Sequence, residues 1–138
     1  MEFAGLNYIA VFVAAIASLA FGAVYYMTLA KPRMAAVGKT GEQAQAQRGN
    51  PKPFIITVVA HLMMAWVLAG IIGHLGTDQV TAMNGLISAT FVWFGFVLTS
   101  LTVNHGFQGA TTSLTLIDGG HWLGVLLVQG LVIGLLGV

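Results

Sequence analysis

Three histidines, one carboxylate and one amide stand out in a chain otherwise built from apolar runs. Asn104, His105, Asp118 and His121 fall within the stretch 95–124, where one apolar segment ends, a polar loop follows and another segment begins. His61 and Tyr25 lie in two further apolar segments. Imidazoles titrate near neutral pH and ligate metals, so with a carboxylate this set can relay a proton, bind a cation or hold a metal. Two histidines on facing helices can also ligate a haem iron from both sides, which makes His61 and His121 a candidate pair. Plainer roles compete. Thr115-Leu116-Ile117-Asp118 has the S/T-x-x-D form that opens a helix, so Asp118 is expected to cap the fourth one. His105 can bond the last free carbonyls of the third.

Other catalytic templates are missing. The chain has no Gly-rich phosphate loop, no HExxH, no G-x-S-x-G and no cysteine. The expectation is therefore a protein that is not an enzyme. No cofactor is predicted, with haem and metal kept as alternatives.

The elements that must position these residues follow from composition. Of 138 residues, 57% are hydrophobic and 7% are charged. Soluble domains carry about 25% charged residues, so a water-facing surface cannot be made from this chain. About 20 consecutive apolar residues cross a bilayer as a helix. Four runs of that kind lie at about 6–30, 54–75, 82–103 and 116–138, and they leave no room for a soluble domain. None alternates apolar with polar residues as barrel strands do. The fold class is all-α integral membrane: four transmembrane helices in one antiparallel bundle. The acidic Met1-Glu2 start and the length of the first run mark a retained helix rather than a secretory signal.

Charge gives the orientation. Lys31, Arg33, Lys39, Arg48 and Lys52 all lie between the first and second runs, with Glu42 as the acid among them. The positive-inside rule puts the 31–53 loop in the cytoplasm and both termini on the non-cytoplasmic side of a bacterial inner membrane. Basic residues placed there set topology or touch anionic headgroups, and the lipid bilayer, not nucleic acid, is the expected partner. Pro32, Gly38, Gly41, Gly49, Pro51 and Pro53 break up this linker, although 42–48 can form a short surface helix.

Each run also carries a row of small or polar residues at helical spacing. In the first it is Asn7, Ala14, Ser18, Gly22 and Tyr25; in the second, Thr57, His61, Ala65, Ala69 and Gly73. In the third, Asn84, Ser88, Gly95, Thr99 and Thr102 form the stripe expected to face the interior. The fourth has two faces: Asp118, His121, Val125 and Gln129 on one, Gly120, Gly124, Gly130 and Gly134 on the other. Small residues let helices approach closely in lipid, so the GxxxG-spaced glycines are read as a packing face that includes another subunit. In this topology Tyr25, His61, Asn104, His105, Asp118 and His121 share the cytoplasmic half of the bundle. Ionisable groups at such depth are costly and read first as functional.

Gly22 before Tyr25-Tyr26, Pro53-Phe54, Trp93 with Gly95-Phe96, Asn104-His105, Ile117-Asp118 and Gly130-x-x-x-Gly134 occur in this order along nearly the whole chain. In that combination the sequence resembles a family of small bacterial membrane proteins known as domain of unknown function 1761. The resemblance implies a four-helix inner-membrane fold and draws attention to Asn104, His105 and Asp118; it brings no activity. The leading expectation is a homo-oligomeric or accessory subunit of a larger membrane complex. The alternatives are a small homo-oligomeric transporter or channel for protons, cations or a small solute, and a haem- or pigment-binding protein.

Overall fold

Asn7 starts the first helix, because its side-chain oxygen accepts the N–H of Ala10 at 3.1 Å and replaces a missing helical partner. Its amide donates to the carbonyl of Leu136 at 3.2 Å, so the same residue ties the beginning of the chain to its end. The structure, a computed structural model, describes residues 5–38, 41–46 and 48–138. Met1, Glu2 and Lys39, which enter the charge reading, lie outside them.

Helices joined by short turns make up the described residues, with no strand among them. Four helices are long and apolar enough to cross a membrane, as a multi-pass membrane protein requires. Helix α1 (Tyr8–Thr28) breaks at Leu29, and α2 (Ala30–Val37) follows at once. Pro32 does not interrupt α2. It is the third residue of that helix, where the missing N–H has no intrahelical partner to lose. Lys31 and Arg33, expected in an irregular loop, are therefore helical, and Gly38 ends α2 in the left-handed conformation at φ 70°. A short helix, α3 (Gly41–Ala46), occupies the middle of the linker. Pro53 lies in the first turn of α4 (Lys52–Gly73), where proline is accepted.

The third span is α5 (Ala82–Val92), a π-helical stretch (Trp93–Leu98) and α6 (Thr99–Phe107) in direct succession. Thr81 caps it by accepting the N–H of Asn84 at 3.2 Å. Here the structure corrects the expected stripe. Gly95, Thr99 and Thr102 are exposed, and a methyl group built on Gly95 would meet nothing within 4 Å. Each threonine hydroxyl turns back to a carbonyl four residues earlier, Gly95 or Leu98, and needs no partner helix.

Helix α7 (Thr112–Leu136) is the centre, contacting α1, α2, α4, α5 and α6. It begins four residues before the apolar run suggested, because Thr111 and not Thr115 is its cap. The Thr111 hydroxyl accepts the N–H of Leu114 at 3.2 Å and donates to the Ala36 carbonyl at 3.1 Å. Asp118 therefore sits nearly two turns inside the helix, and the capping role expected for it is overturned.

The glycines of α7 are occupied within the chain. A methyl group on Gly120 would lie 2.6 Å from the Tyr25 hydroxyl, and one on Gly124 would overlap the Phe21 ring. Gly130 rests against the backbone of Gly85, and Gly134 against that of Thr81. On α4, His61, Ala65 and Ala69 are buried, and Gly73 packs against Val138. Val11, Ala15, Leu68, Ala69, Ile72 and Ile133 belong to one apolar core.

Candidate functional site

The polar residues of α7 recur on one side because 118, 121, 125 and 129 are three or four apart, and α1 and α4 cover that side. Asp118, 9% exposed, is held by two donors on the same oxygen. The Tyr26 hydroxyl donates to its Oδ1 at 2.9 Å, and the Nε of Arg33 donates to it at 3.2 Å. The Arg33 guanidinium also lies 4.9 Å from the centre of the Tyr26 ring. On the other oxygen, Oδ2, the Nε2 of His105 stands 4.0 Å away. That is an ion-pair distance only if His105 is protonated, and too long for a hydrogen bond. The Nδ1 of His105 is 2.9 Å from the Thr115 hydroxyl, which fixes the ring.

Tyr26 joins this charged group to the interior. Its ring stacks on His121 with centres 4.4 Å apart and planes 28° from parallel. Trp122 and Tyr25 meet the same imidazole edge-on at 4.8 and 5.6 Å. Gly22 admits the ring, since a methyl group there would stand 2.8 Å from its Nε2. His121 is 4% exposed, and its buried Nδ1 has no hydrogen-bond partner among the described residues. Buried polar atoms almost always find one, so an unpartnered ring nitrogen calls for an explanation in function or bound water.

One step deeper is His61, 1% exposed, with its ring centre 6.5 Å from that of His121. The Ser18 oxygen lies 2.8 Å from its Nδ1, 2.9 Å from the Ala15 carbonyl and 3.0 Å from the Gln129 amide nitrogen. Gln129 must donate to Ser18, and it also donates to the His61 carbonyl at 3.1 Å. A hydroxyl has one proton to give. If it goes to Ala15, His61 donates from Nδ1 and keeps Nε2 basic; if it goes to His61, the tautomer reverses. Rotation of that one hydroxyl accommodates either tautomer, while the exchange itself takes a proton off one ring nitrogen and puts one on the other.

The site therefore gathers Asp118, His105, His121 and His61, with Tyr25 bonded to the Ile117 carbonyl at 2.8 Å beside it. Asn104 is exposed and does not join. Tyr26 and Arg33 were missed as members. Their seven-residue spacing would place both on one side of a helix, but the apolar run closes at about residue 30 and Pro32 reads as a breaker between them. Among the described residues, no three His, Cys, Asp or Glu side chains converge to hold a metal ion. A haem held by His61 and His121 would have to displace Trp122, which packs on both rings.

This is a chain with four candidate membrane spans and an enclosed Asp–Tyr–His cluster that opens toward one end of its central helix. The sequence profile of the family described as "Protein of unknown function (DUF1761)" matches residues 9–134, and the chain belongs to that family. No curated protein and no solved structure matches it.

Proposed function

We propose that the chain is a multi-pass inner-membrane protein that moves protons through the Asp118–Tyr26–His121–His61 series. In this reading the four spans form an antiparallel bundle, the 31–53 segment faces the cytoplasm and the termini lie on the other side. Protons arrive at Asp118 and His105 from the cytoplasmic interface and pass inward along α7. The observation that carries the reading is Tyr26, which bonds the carboxylate with its hydroxyl and covers His121 with its ring, so that the acid and the imidazole stand one side chain apart. The ring itself passes no proton; transfer from Asp118 to His121, and on to His61, runs through water that hydrogen-bonds both groups. The Nδ1 of His121, without a partner among the described residues, is a buried donor or acceptor according to its tautomer, and the Ser18 hydroxyl can turn to suit whichever tautomer His61 holds after a proton has passed.

The series stops at Gln129. From Asp118 that is 11 residues, about 16 Å of helix and roughly half of a 30 Å hydrocarbon core. Beyond it, Leu68, Ile72 and Ile133 offer no group that can hold a proton. A complete path then needs a second copy, which a homo-oligomer of the purified chain supplies; an accessory-subunit role is the companion reading, the one that stands if the purified chain passes no protons. The exposed outer face of α5 and α6 leaves room for that contact.

The test is proton flux into liposomes that hold a pH-sensitive dye and the purified chain. The unaltered protein should pass protons under an imposed potential. Asp118→Asn and Tyr26→Phe should each lower the rate by about a hundredfold or more, the lower end of the range for one positioned proton-transfer group. Flux in none of the three proteins, or equal flux in all three, would remove the reading. Crosslinking of exposed single cysteines at Gly95 would report the second copy.

A further inference from the structure

At the end of the bundle where Asp118 sits, α2 and the first turns of α7 leave a groove of about 540 Å³ between them. That is within the usual size of a small-molecule site, about 300–1,000 Å³. Its walls are Pro32, Ala35 and Ala36 on one helix and Leu116 and Ile117 on the other, all without charge. Ser113, exposed, stands at the groove as well.

The ion pair bridges the same two helices, since Arg33 follows Pro32 and Asp118 follows Ile117. Asp118 takes only the Nε of Arg33. Among the described residues the two terminal amino groups of that side chain, 42% exposed, have no acceptor and are left for a second one. A guanidinium can serve both at once, with one edge on the carboxylate and the other gripping two oxygens of a phosphate. An uncharged trough beside a half-used arginine matches a ligand with an apolar tail and an anionic head. The remaining charge agrees, for Lys31, Arg48 and Lys52 make the segment strongly basic.

We infer that this groove binds one anionic glycerophospholipid, its phosphate on the free edge of Arg33 and an acyl chain along Ala35, Leu116 and Ile117. The bound lipid would fasten α2 to α7 without releasing Asp118. The inference needs the membrane reading of the chain but not proton movement.

Native mass spectrometry of the full chain in mild detergent tests it, with three probes. Phosphatidylglycerol offers both features, inorganic phosphate offers the head alone, and diacylglycerol offers the tail alone. One phosphatidylglycerol should be retained. Arg33→Gln should weaken it about tenfold and leave diacylglycerol unchanged, as expected for losing one charge-assisted contact. Ala35→Trp, at an exposed position where bulk does not threaten the fold, should fill the trough and exclude phosphatidylglycerol. Leu116→Ser should act in the same direction without adding bulk. The site is overturned if Arg33→Gln retains phosphatidylglycerol unchanged, or if neither trough variant weakens it. Displacement of the lipid by millimolar phosphate alone would overturn the acyl-chain half, because the head would then supply all the affinity. The readout is a mass, so it can fail while proton flux succeeds, and the reverse.

Discussion

Gly22 faces Nε2 of His121 so closely that a methyl group in its place would stand 2.8 Å from that nitrogen. The imidazole cannot retreat, because Tyr26, Tyr25 and Trp122 enclose it. Gly22→Ala should therefore push the ring off its stack and lower stability by about 1–3 kcal/mol, the usual range for overpacking. Thermal unfolding in detergent measures it. An unchanged transition would mean that the ring has room the structure does not give it.

The contacts of α5 with α7 make a sharper contrast. A methyl group on Gly85 would overlap the Gly130 carbonyl, whereas one on Gly95 would meet nothing. Gly85→Val should cost more than about 3 kcal/mol, since backbone cannot step aside as a side chain can. Gly95→Ala should be neutral, or stabilising by up to about 1 kcal/mol through helix propensity. Equal effects at the two positions would refute this assignment of faces.

Two donors share Asp118 Oδ1, and they should not matter equally. Arg33 is 42% exposed and returns to water or headgroups when its partner is lost, so its bond should contribute under about 1 kcal/mol. The part-buried Tyr26 hydroxyl has no such retreat and should show a larger energy, about 1–3 kcal/mol. Double-mutant cycles of Asp118→Ala with Tyr26→Phe and with Arg33→Gln separate the two. A larger value for the arginine would reverse the argument.

Gln129 gives two hydrogen bonds while its own oxygen receives none among the described residues. Gln129→Leu loses the two bonds and also removes the unpartnered oxygen, so it should cost only about 0.6–1.7 kcal/mol. Gln129→Glu keeps an acceptor, loses the donors and buries a charge against the His61 carbonyl, so it should cost several kcal/mol. If the two variants unfold at the same temperature, water reaches this depth.

Hydropathy was enough to find the four spans, because each is longer and more apolar than a helix in water needs to be. Small-residue spacing also found the buried sides of α1 and α4, where Ser18, Gly22, His61, Ala65 and Ala69 lie inward. It failed for the third span. A threonine that bonds its own helix looks the same in sequence as one that faces a neighbour, and Thr99 and Thr102 are of the first kind. The cap of α7 failed for a related reason. Thr111 and Thr115 are four apart and either could start a helix, but Thr111 also reaches the Ala36 carbonyl, a contact 75 residues away that no local pattern contains. The cluster was half legible. Its histidines and aspartate stood out by type, whereas Arg33 was read as a topology charge until α2 carried it back over Tyr26.

Gly85, Gly130, Gly134 and Thr81 bring the backbones of α5 and α7 into direct contact, and such a seam has little to rearrange. The seam of α7 with α1 and α4 is made instead of rings, hydroxyls and an amide, all with rotamers to change. A bundle with one stiff and one compliant seam yields first at the compliant one. Tyr26, His61, Asp118 and His121 lie on or beside that side, whereas His105 reaches the carboxylate from α6. A change of protonation at the first four should then be taken up as a shift of α1 and α4 against α5 and α7.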